Sequence, residues 1–209
     1  MAKEREIKLR IKDAAALRQS LLSLKARLAT GRVHEHNLIF DTPDFALAKR
    51  EQLLRLRSES EITSRGTASL PPRRFLLTFK EPVAKAIANR EIERHQVREE
   101  TELEISDPHA LSKILEKLGL RAWFQYEKLR TTYRLPGAQN WAKGLLIELD
   151  QTPIGEFLEL EGPAKAIDRA AHALGFQKRD YILSNYLVLY REYCKQQKKE
   201  PRHMLFGVA

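Results

Sequence analysis

From Glu6 to Lys12 charged and apolar side chains alternate without a break, and Glu4 extends the charged set. Glu4, Glu6, Lys8, Arg10 and Lys12 share one face of an extended chain, and Ile7, Leu9 and Ile11 share the other. A period of two predicts a β-strand, here with one face made for burial and the other carrying only charge. The pattern returns along the chain. Residues 33–41, 52–58, 74–80, 96–105, 126–134, 145–150 and 156–161 read as seven further strands. Their polar faces present Arg55 and Arg57, then Lys80, then Arg98 with Glu100 and Glu102. Lys128 and Arg130, Glu148 and Asp150, and Glu159 and Glu161 follow.

Helices separate the strands. Asp13 caps one that carries Leu17, Leu21, Leu24 and Leu28 on a single stripe and stops at Gly31. Asp107-Pro108 opens a second, closed by Gly119, and Pro163 a third, closed by Gly175. A last helix spans about 184–198. Residues 61–72 and 135–144 have the composition of hairpin loops, 82–90 form a connection, and 199–209 read as a frayed tail. The helices must bury their leucines, and the apolar strand faces are the only large partner. Helices therefore cover the outside, and about eight strands close into a barrel wide enough for one small ligand. The expected fold is α+β: an eight-stranded antiparallel β-barrel, a tunnel with a polar, charged interior and helices packed outside. It occupies 1–193, with a basic C-terminal tail over 194–209.

A ring of charge of this kind needs compensation. Two like charges ~6 Å apart repel by roughly 3 kcal/mol at an effective dielectric of ~20. The carboxylates therefore call for cations, supplied by lysine, arginine or a metal. On the basic side, arginine forks and lysine point charges suit a small ligand with several negative charges, such as a triphosphate. Carboxylates together with phosphate oxygens suit Mg²⁺ or Mn²⁺.

The remaining features narrow the field. Hydrophobic residues make up 43% and charged residues 31% of the chain, which excludes a disordered or fibrous protein. No run of ~18 apolar residues predicts a membrane span. The charged first residues do not read as a secretory signal, and a cytoplasmic protein is expected. The lone Cys194 has no partner for an internal disulfide. The net charge of +9 invites a nucleic-acid reading. Against it stand 8% aromatic content and acids interleaved with bases on the same faces. His34 and His36 alternate on one strand without a third ligand nearby, as a hydrogen-bonded or exposed pair. Tyr181, Tyr186, Tyr190 and Tyr193 have roughly helical spacing and read as packing. Neither a GxxxxGK[ST] loop nor a GxGxxG loop occurs.

Glu4-Arg5-Glu6-Ile7-Lys8 fits an ExExK signature. It is followed in order by FDTPDFAL (40–47), LLRLR (53–57), TFK-x-P (78–82), REETE (98–102), EKLRTTY (127–133), IELD (147–150) and FLELEG (157–162). In this series the chain resembles the CYTH superfamily, the triphosphate tunnel metalloenzymes, which include class IV adenylate cyclases, thiamine triphosphatases and inorganic triphosphatases. The resemblance implies an eight-stranded tunnel. Lys8, Arg55, Arg57, Lys80, Arg98, Lys128 and Arg130 would grip phosphate. Glu4, Glu6, Glu148, Asp150, Glu159 and Glu161 would hold Mg²⁺ or Mn²⁺. Lys80, Glu4 and Glu6 would be catalytic, and Glu100 and Glu102 would be tunnel carboxylates of unassigned role. Lys80-Glu81-Pro82 departs from the Lys-Gly-Pro often found in the family. The tyrosine that some family hydrolases pair with a lysine on the second strand is replaced by Ile39 and Phe40.

The implied activity is a divalent-metal-dependent triphosphatase acting on an inorganic or organic triphosphate. The alternatives are a class IV adenylate cyclase, forming cyclic AMP and pyrophosphate from ATP, and a non-catalytic polyphosphate or nucleotide-binding module. The expected partner is a small-molecule triphosphate, with no nucleic acid and no membrane, in a monomer or homodimer.

Overall fold

The alternating N-terminal segment forms β1, Ala2–Arg10, in a computed structural model that describes residues 2–62, 66, 68, 71–83, 95–136 and 139–207. The other strands are β2 (Arg27–Asp41), β3 (Leu53–Glu61), β4 (Arg74–Pro82), β5 (Gln96–Glu104), β6 (Arg121–Arg134), β7 (Leu146–Thr152) and β8 (Gly155–Glu161). They close in the order β1-β5-β4-β3-β2-β6-β7-β8, every pairing antiparallel. β1 completes the ring by dividing its length. Residues from Ala2 to Glu6 pair with β5, and those from Glu6 to Arg10 pair with β8.

Among the described residues five helices lie outside: α1 (Ala14–Ser23), α2 (Ala46–Lys49), α3 (Pro108–Lys117), α4 (Ala164–Ala173) and α5 (Tyr186–Gln196). They explain which strand faces turn inward. Ile7, Leu9, Ile147, Leu158 and Leu160 point outward and form one core with Leu17 and Leu21 of α1 and Ile167 of α4. Burying each such side chain stabilises the fold by roughly 1.5–3 kcal/mol, which fixes the register and turns the alternate, charged positions into the barrel. Phe40 and Leu56 make a second outer core with Leu115 of α3. A third core joins Tyr186 and Leu189 of α5 to Ile39, Phe124, Tyr126 and Phe157. The FDTPDFAL segment is a capping device. Asp41 accepts hydrogen bonds from the amides of Leu47 and Ala48, both at 2.9 Å, and Thr42 Oγ1 accepts from Ala46 at 2.8 Å.

Most expected elements appear with shifted ends. The first helix is the exception. It stops at Ser23, with Leu24 as its C-cap and Lys25 in the left-handed region at φ 55°. The amides of Lys25 and Ala26 bond back to Leu22 and Leu21, which satisfies the last carbonyls and ends the helix. β2 therefore begins at Arg27, and Leu28, expected on the helix stripe, stands 61% exposed on the strand. The stops at Gly119 and Gly175 are found as expected, with φ 87° and 88°. Residues 84–90 of the expected connection, and 63–65, 67, 69–70 and 137–138 of the two loops, lie outside the described residues.

The expectation of a frayed tail is overturned around residue 204. Between β6 and β7 the ladder covers only Leu129–Tyr133. Beside the earlier part of β6, Met204 forms a parallel bridge to Tyr126, its amide bonding Gln125 O and its carbonyl accepting from Glu127, both at 2.9 Å. Its side chain is fully buried in the third core. Among the described residues no helix is long and apolar enough to cross a membrane.

Candidate active site

The barrel encloses a cavity of about 490 Å³. Among the described residues its lining carries eight Lys or Arg and seven Glu side chains. These are close to balanced, so they account for little of the chain's net charge of +9.

The charges are partnered strand by strand. From β6, Arg130 forks onto Asp150 of β7, with Nε at 2.7 Å and Nη2 at 2.6 Å, and also contacts Glu148 and Glu159. Lys128 reaches Asp150 at 2.9 Å and Glu35 of β2 at 3.5 Å. Lys8 lies 2.6 Å from Glu6 and 3.3 Å from Glu159. Lys80 lies 2.6 Å from Glu4 and 3.2 Å from Glu100. Arg57 donates to Asn37 at 3.0 Å and to Glu35 at 3.2 Å. Arg98 lines the cavity and donates to the Glu51 carbonyl at 2.9 Å. Glu102 accepts from Thr78 Oγ1 at 3.1 Å.

Arg55 differs. It is 7% exposed and meets only neutral oxygens, Thr78 Oγ1 at 3.2 Å and the Tyr126 hydroxyl at 3.4 Å. Among the described residues it has no carboxylate partner, and its buried Nε has no hydrogen-bond partner.

The wall formed by β1, β7 and β8 shows the opposite imbalance. Burial pushes the Glu148 carboxyl up to about 7, with the Glu159 and Asp150 carboxylates adding to the shift. Arg130 touches Glu148 yet does not reverse this, because the same guanidinium is shared with Asp150 and Glu159. Burial likewise raises Glu161 to about 8, reinforced by Glu148 and Glu4. Across the barrel, burial alone would raise Glu35. The Arg57 guanidinium, with Lys128 and Arg130, more than reverses that and holds it at about 2. Tyr126 is also shifted downward against its burial, by Arg55, Arg57 and Lys128.

A family model for the CYTH domain matches residues 2–179. The chain belongs to the CYTH family. No curated protein matches it by sequence, but solved structures share the fold. A Pyrococcus horikoshii protein, PH1819, superposes with a TM-score of 0.69 at 21% identity, covering 91% of this chain and 99% of that one. An adenylate cyclase candidate from Vibrio parahaemolyticus gives 0.65 at 18%, covering 88% and 94%. An adenylyl cyclase candidate from Hippeastrum, HpAC1, described as having a dominant triphosphatase activity, gives 0.56 at 21%, covering 95% and 97%.

The CYTH barrel brings nearly every sequence-predicted site residue to the cavity. Lys8, Arg55, Arg57, Lys80, Arg98, Lys128, Arg130, Glu4, Glu6, Glu100, Glu102, Glu148, Glu159 and Glu161 all line it. Asp150 does not. It is fully buried behind Lys128 and Arg130. Four contributors escaped the sequence reading: Glu35 and Asn37 on β2, Tyr126 on β6 and Tyr186 on α5. The residues of β2 do alternate, with Glu35, Asn37 and Ile39 at one set of positions and His34, His36 and Leu38 at the other. That mixture marks neither face as the charged one.

The donor set on the β1, β7 and β8 wall consists of carboxylates, the hard oxygen ligands that Mg²⁺ and Mn²⁺ take. Among the described residues no three such side chains already converge as a metal cluster. Glu4 and Glu6 instead turn to Lys80 and Lys8. The chemistry of the wall fits a divalent cation, with side-chain rotation needed to gather the ligands.

Proposed function

We propose that this chain is a divalent-metal-dependent phosphohydrolase that releases phosphate from an inorganic or organic triphosphate. Arg55 carries the reading. A guanidinium buried with no ion-paired carboxylate among the described residues costs free energy unless an anion arrives to match it, and its planar fork suits phosphate oxygens. Lys8, Arg57, Lys80, Arg98, Lys128 and Arg130 surround the same cavity and complete the grip. Glu4, Glu6, Glu148, Glu159 and Glu161 would hold Mg²⁺ or Mn²⁺. When bound, the ion neutralises and polarises phosphoryl oxygens. The chain's own residues bind and orient the triphosphate and offset the charge that builds on the terminal phosphoryl group, which is most of what phosphoryl transfer requires of a protein. Glu100 holds Lys80, and Glu102 holds Thr78, which in turn meets Arg55.

The test is turnover of tripolyphosphate, thiamine triphosphate and ATP with Mg²⁺ or Mn²⁺, with product identification. Phosphate release that stops in excess chelator is expected. Cyclic AMP and pyrophosphate from ATP would make the chain a cyclase. Tight binding without any turnover would make it a binding module.

A further inference from the structure

Helix α5 lies beyond the segment matched by the CYTH model, residues 2–179. Its first residue nevertheless reaches the cavity wall. Tyr186 is 5% exposed, and its hydroxyl donates to Asp150 Oδ2 at 2.7 Å. The same oxygen accepts from Lys128 Nζ at 2.9 Å and Arg130 Nη2 at 2.6 Å, while Oδ1 accepts from Arg130 Nε at 2.7 Å. Four hydrogen bonds thus converge on one carboxylate, three on Oδ2 and one on Oδ1, against the roughly four that a carboxylate can accept.

The ring of Tyr186 is engaged as well. The Lys8 ammonium lies 5.5 Å and the Lys128 ammonium 5.3 Å from its centroid, within the range of cation–π attraction. Phe157 meets it edge-on at 5.5 Å. One side chain from outside the family segment thus touches the anchor of Lys128 and Arg130 through its hydroxyl, and both Lys8 and Lys128 through its face.

We infer that Tyr186 and Asp150 are a positioning pair that sets Lys8, Lys128 and Arg130 for the phosphates, and that Asp150 is spent on this task rather than on metal. The inference rests on the triphosphate reading of the tunnel. A second side chain of α5 provides the control. Leu189 is buried in the same core, and its aliphatic side chain offers the three cations neither a hydroxyl nor a ring face.

The experiment is calorimetric titration with tripolyphosphate, in chelator and in Mg²⁺, alongside melting curves. Tyr186→Phe keeps the ring and its packing but removes the hydroxyl from a charged acceptor. Its affinity for tripolyphosphate should fall about tenfold, and its KM should rise more than its kcat falls. Tyr186→Leu, which also loses the ring face, should fall further. Leu189→Ala should lower the melting temperature while leaving affinity at the wild-type level. Asp150→Asn should weaken tripolyphosphate binding but leave half-saturation by Mg²⁺ unchanged, whereas Glu148→Gln should shift that half-saturation upward. Wild-type affinity in Tyr186→Phe overturns the proposal, as does a metal shift in Asp150→Asn equal to that in Glu148→Gln. Failure of the wild type to bind tripolyphosphate would strike the triphosphate reading itself. If the leucine variant does not fold, the phenylalanine variant alone decides.

Discussion

Lys80 and Glu4 meet across a strand that separates them. Lys80 lies on β4 and Glu4 on β1, with β5 between, and the ammonium sits 2.7 Å and 2.6 Å from the two carboxylate oxygens. A phosphate oxygen approaching Lys80 must compete with that carboxylate, and a cation approaching Glu4 must compete with that ammonium. On the proposed reading, triphosphate and metal should therefore assist one another, since each relieves the other's competitor. Glu4→Gln should tighten tripolyphosphate binding in chelator, because Lys80 is released. It should weaken metal dependence and lower turnover, because a metal ligand is lost. Glu4→Gln combined with Glu6→Gln should deepen the loss of turnover without lowering the melting temperature, since Lys80 and Lys8 keep Glu100 and Glu159 while like-charge repulsion on the wall is relieved. Calorimetry in chelator, with turnover against Mg²⁺, checks this. Unchanged turnover and metal dependence in the double variant would remove both residues from the metal site.

Arg55 and Arg130 should respond oppositely to loss. Arg55 has no carboxylate among the described residues, so Arg55→Ala strands no charge. It should cost at least tenfold in tripolyphosphate affinity while stability holds or rises, because an uncompensated buried charge is gone. Arg130→Ala takes the cation from Glu148 and removes one of the cations held by Asp150 and Glu159, which keep Lys128 and Lys8. Removing one partner from a buried ion-pair network costs about 3–5 kcal/mol, so its denaturation midpoint should drop sharply. Denaturant melts paired with calorimetry separate the two arginines. Equal destabilisation would mean that Arg55 has a structural counter-ion after all.

What the sequence made legible follows from how strongly each strand segregates its charge. β1, β3, β7 and β8 place most charges on one face and leucine or isoleucine at most positions of the other, so their inward residues could be named without a structure. β2 mixes His34, His36 and Leu38 with Glu35, Asn37 and Ile39, and Glu35 at the centre of the cationic cluster went unnoticed. The first helix misled for a related reason. The leucine stripe runs on in period to Leu28, but pairing of Arg27 and Leu28 with Arg134 and Tyr133 of β6 outweighs local helical preference. Tyr186 sits at helical spacing among other tyrosines. Nothing local distinguishes it from packing, because its partner Asp150 lies 36 residues away in sequence. The capping residues Asp13 and Asp107, whose effect is local, were read correctly.

Glu35 links the tunnel to acid stability. Its carboxyl ordinarily titrates at 4.5 and is held at about 2 in the fold by Arg57, Lys128 and Arg130. A carboxyl with a lowered folded value stabilises the protein above its unfolded value and loses that contribution as pH falls through the folded one. The contribution is therefore complete above about 4.5 and gone below about 2. Glu35→Gln should be less stable than wild type at pH 7 by about 3 kcal/mol, since the cations lose their anion. The gap between the two proteins should close as pH falls from about 4.5 to about 2. Denaturant melts of both across that range check the sign. A gap that stays constant with pH would mean Glu35 acts by shape alone.

The segment around Met204 gives the last prediction. Its side chain is fully buried beside Phe124, Tyr126 and Tyr186, and its backbone bonds to Gln125 and Glu127 on the flank of β6 that β7 leaves unpaired. The amide of Phe206 adds a hydrogen bond to the Glu127 carboxylate at 2.9 Å. Met204→Ala should cost about 2–5 kcal/mol, the usual range for deleting a buried methionine side chain. Met204→Leu, which conserves volume, should cost less than about 1.5 kcal/mol. Ending the chain at residue 200 removes the backbone bonds as well, and unpaired polar groups on β6 then add to the penalty. The truncated protein should melt below Met204→Ala. Thermal melts on the three variants decide it. A truncated chain that melts like the wild type would return the tail to the frayed state expected from the sequence.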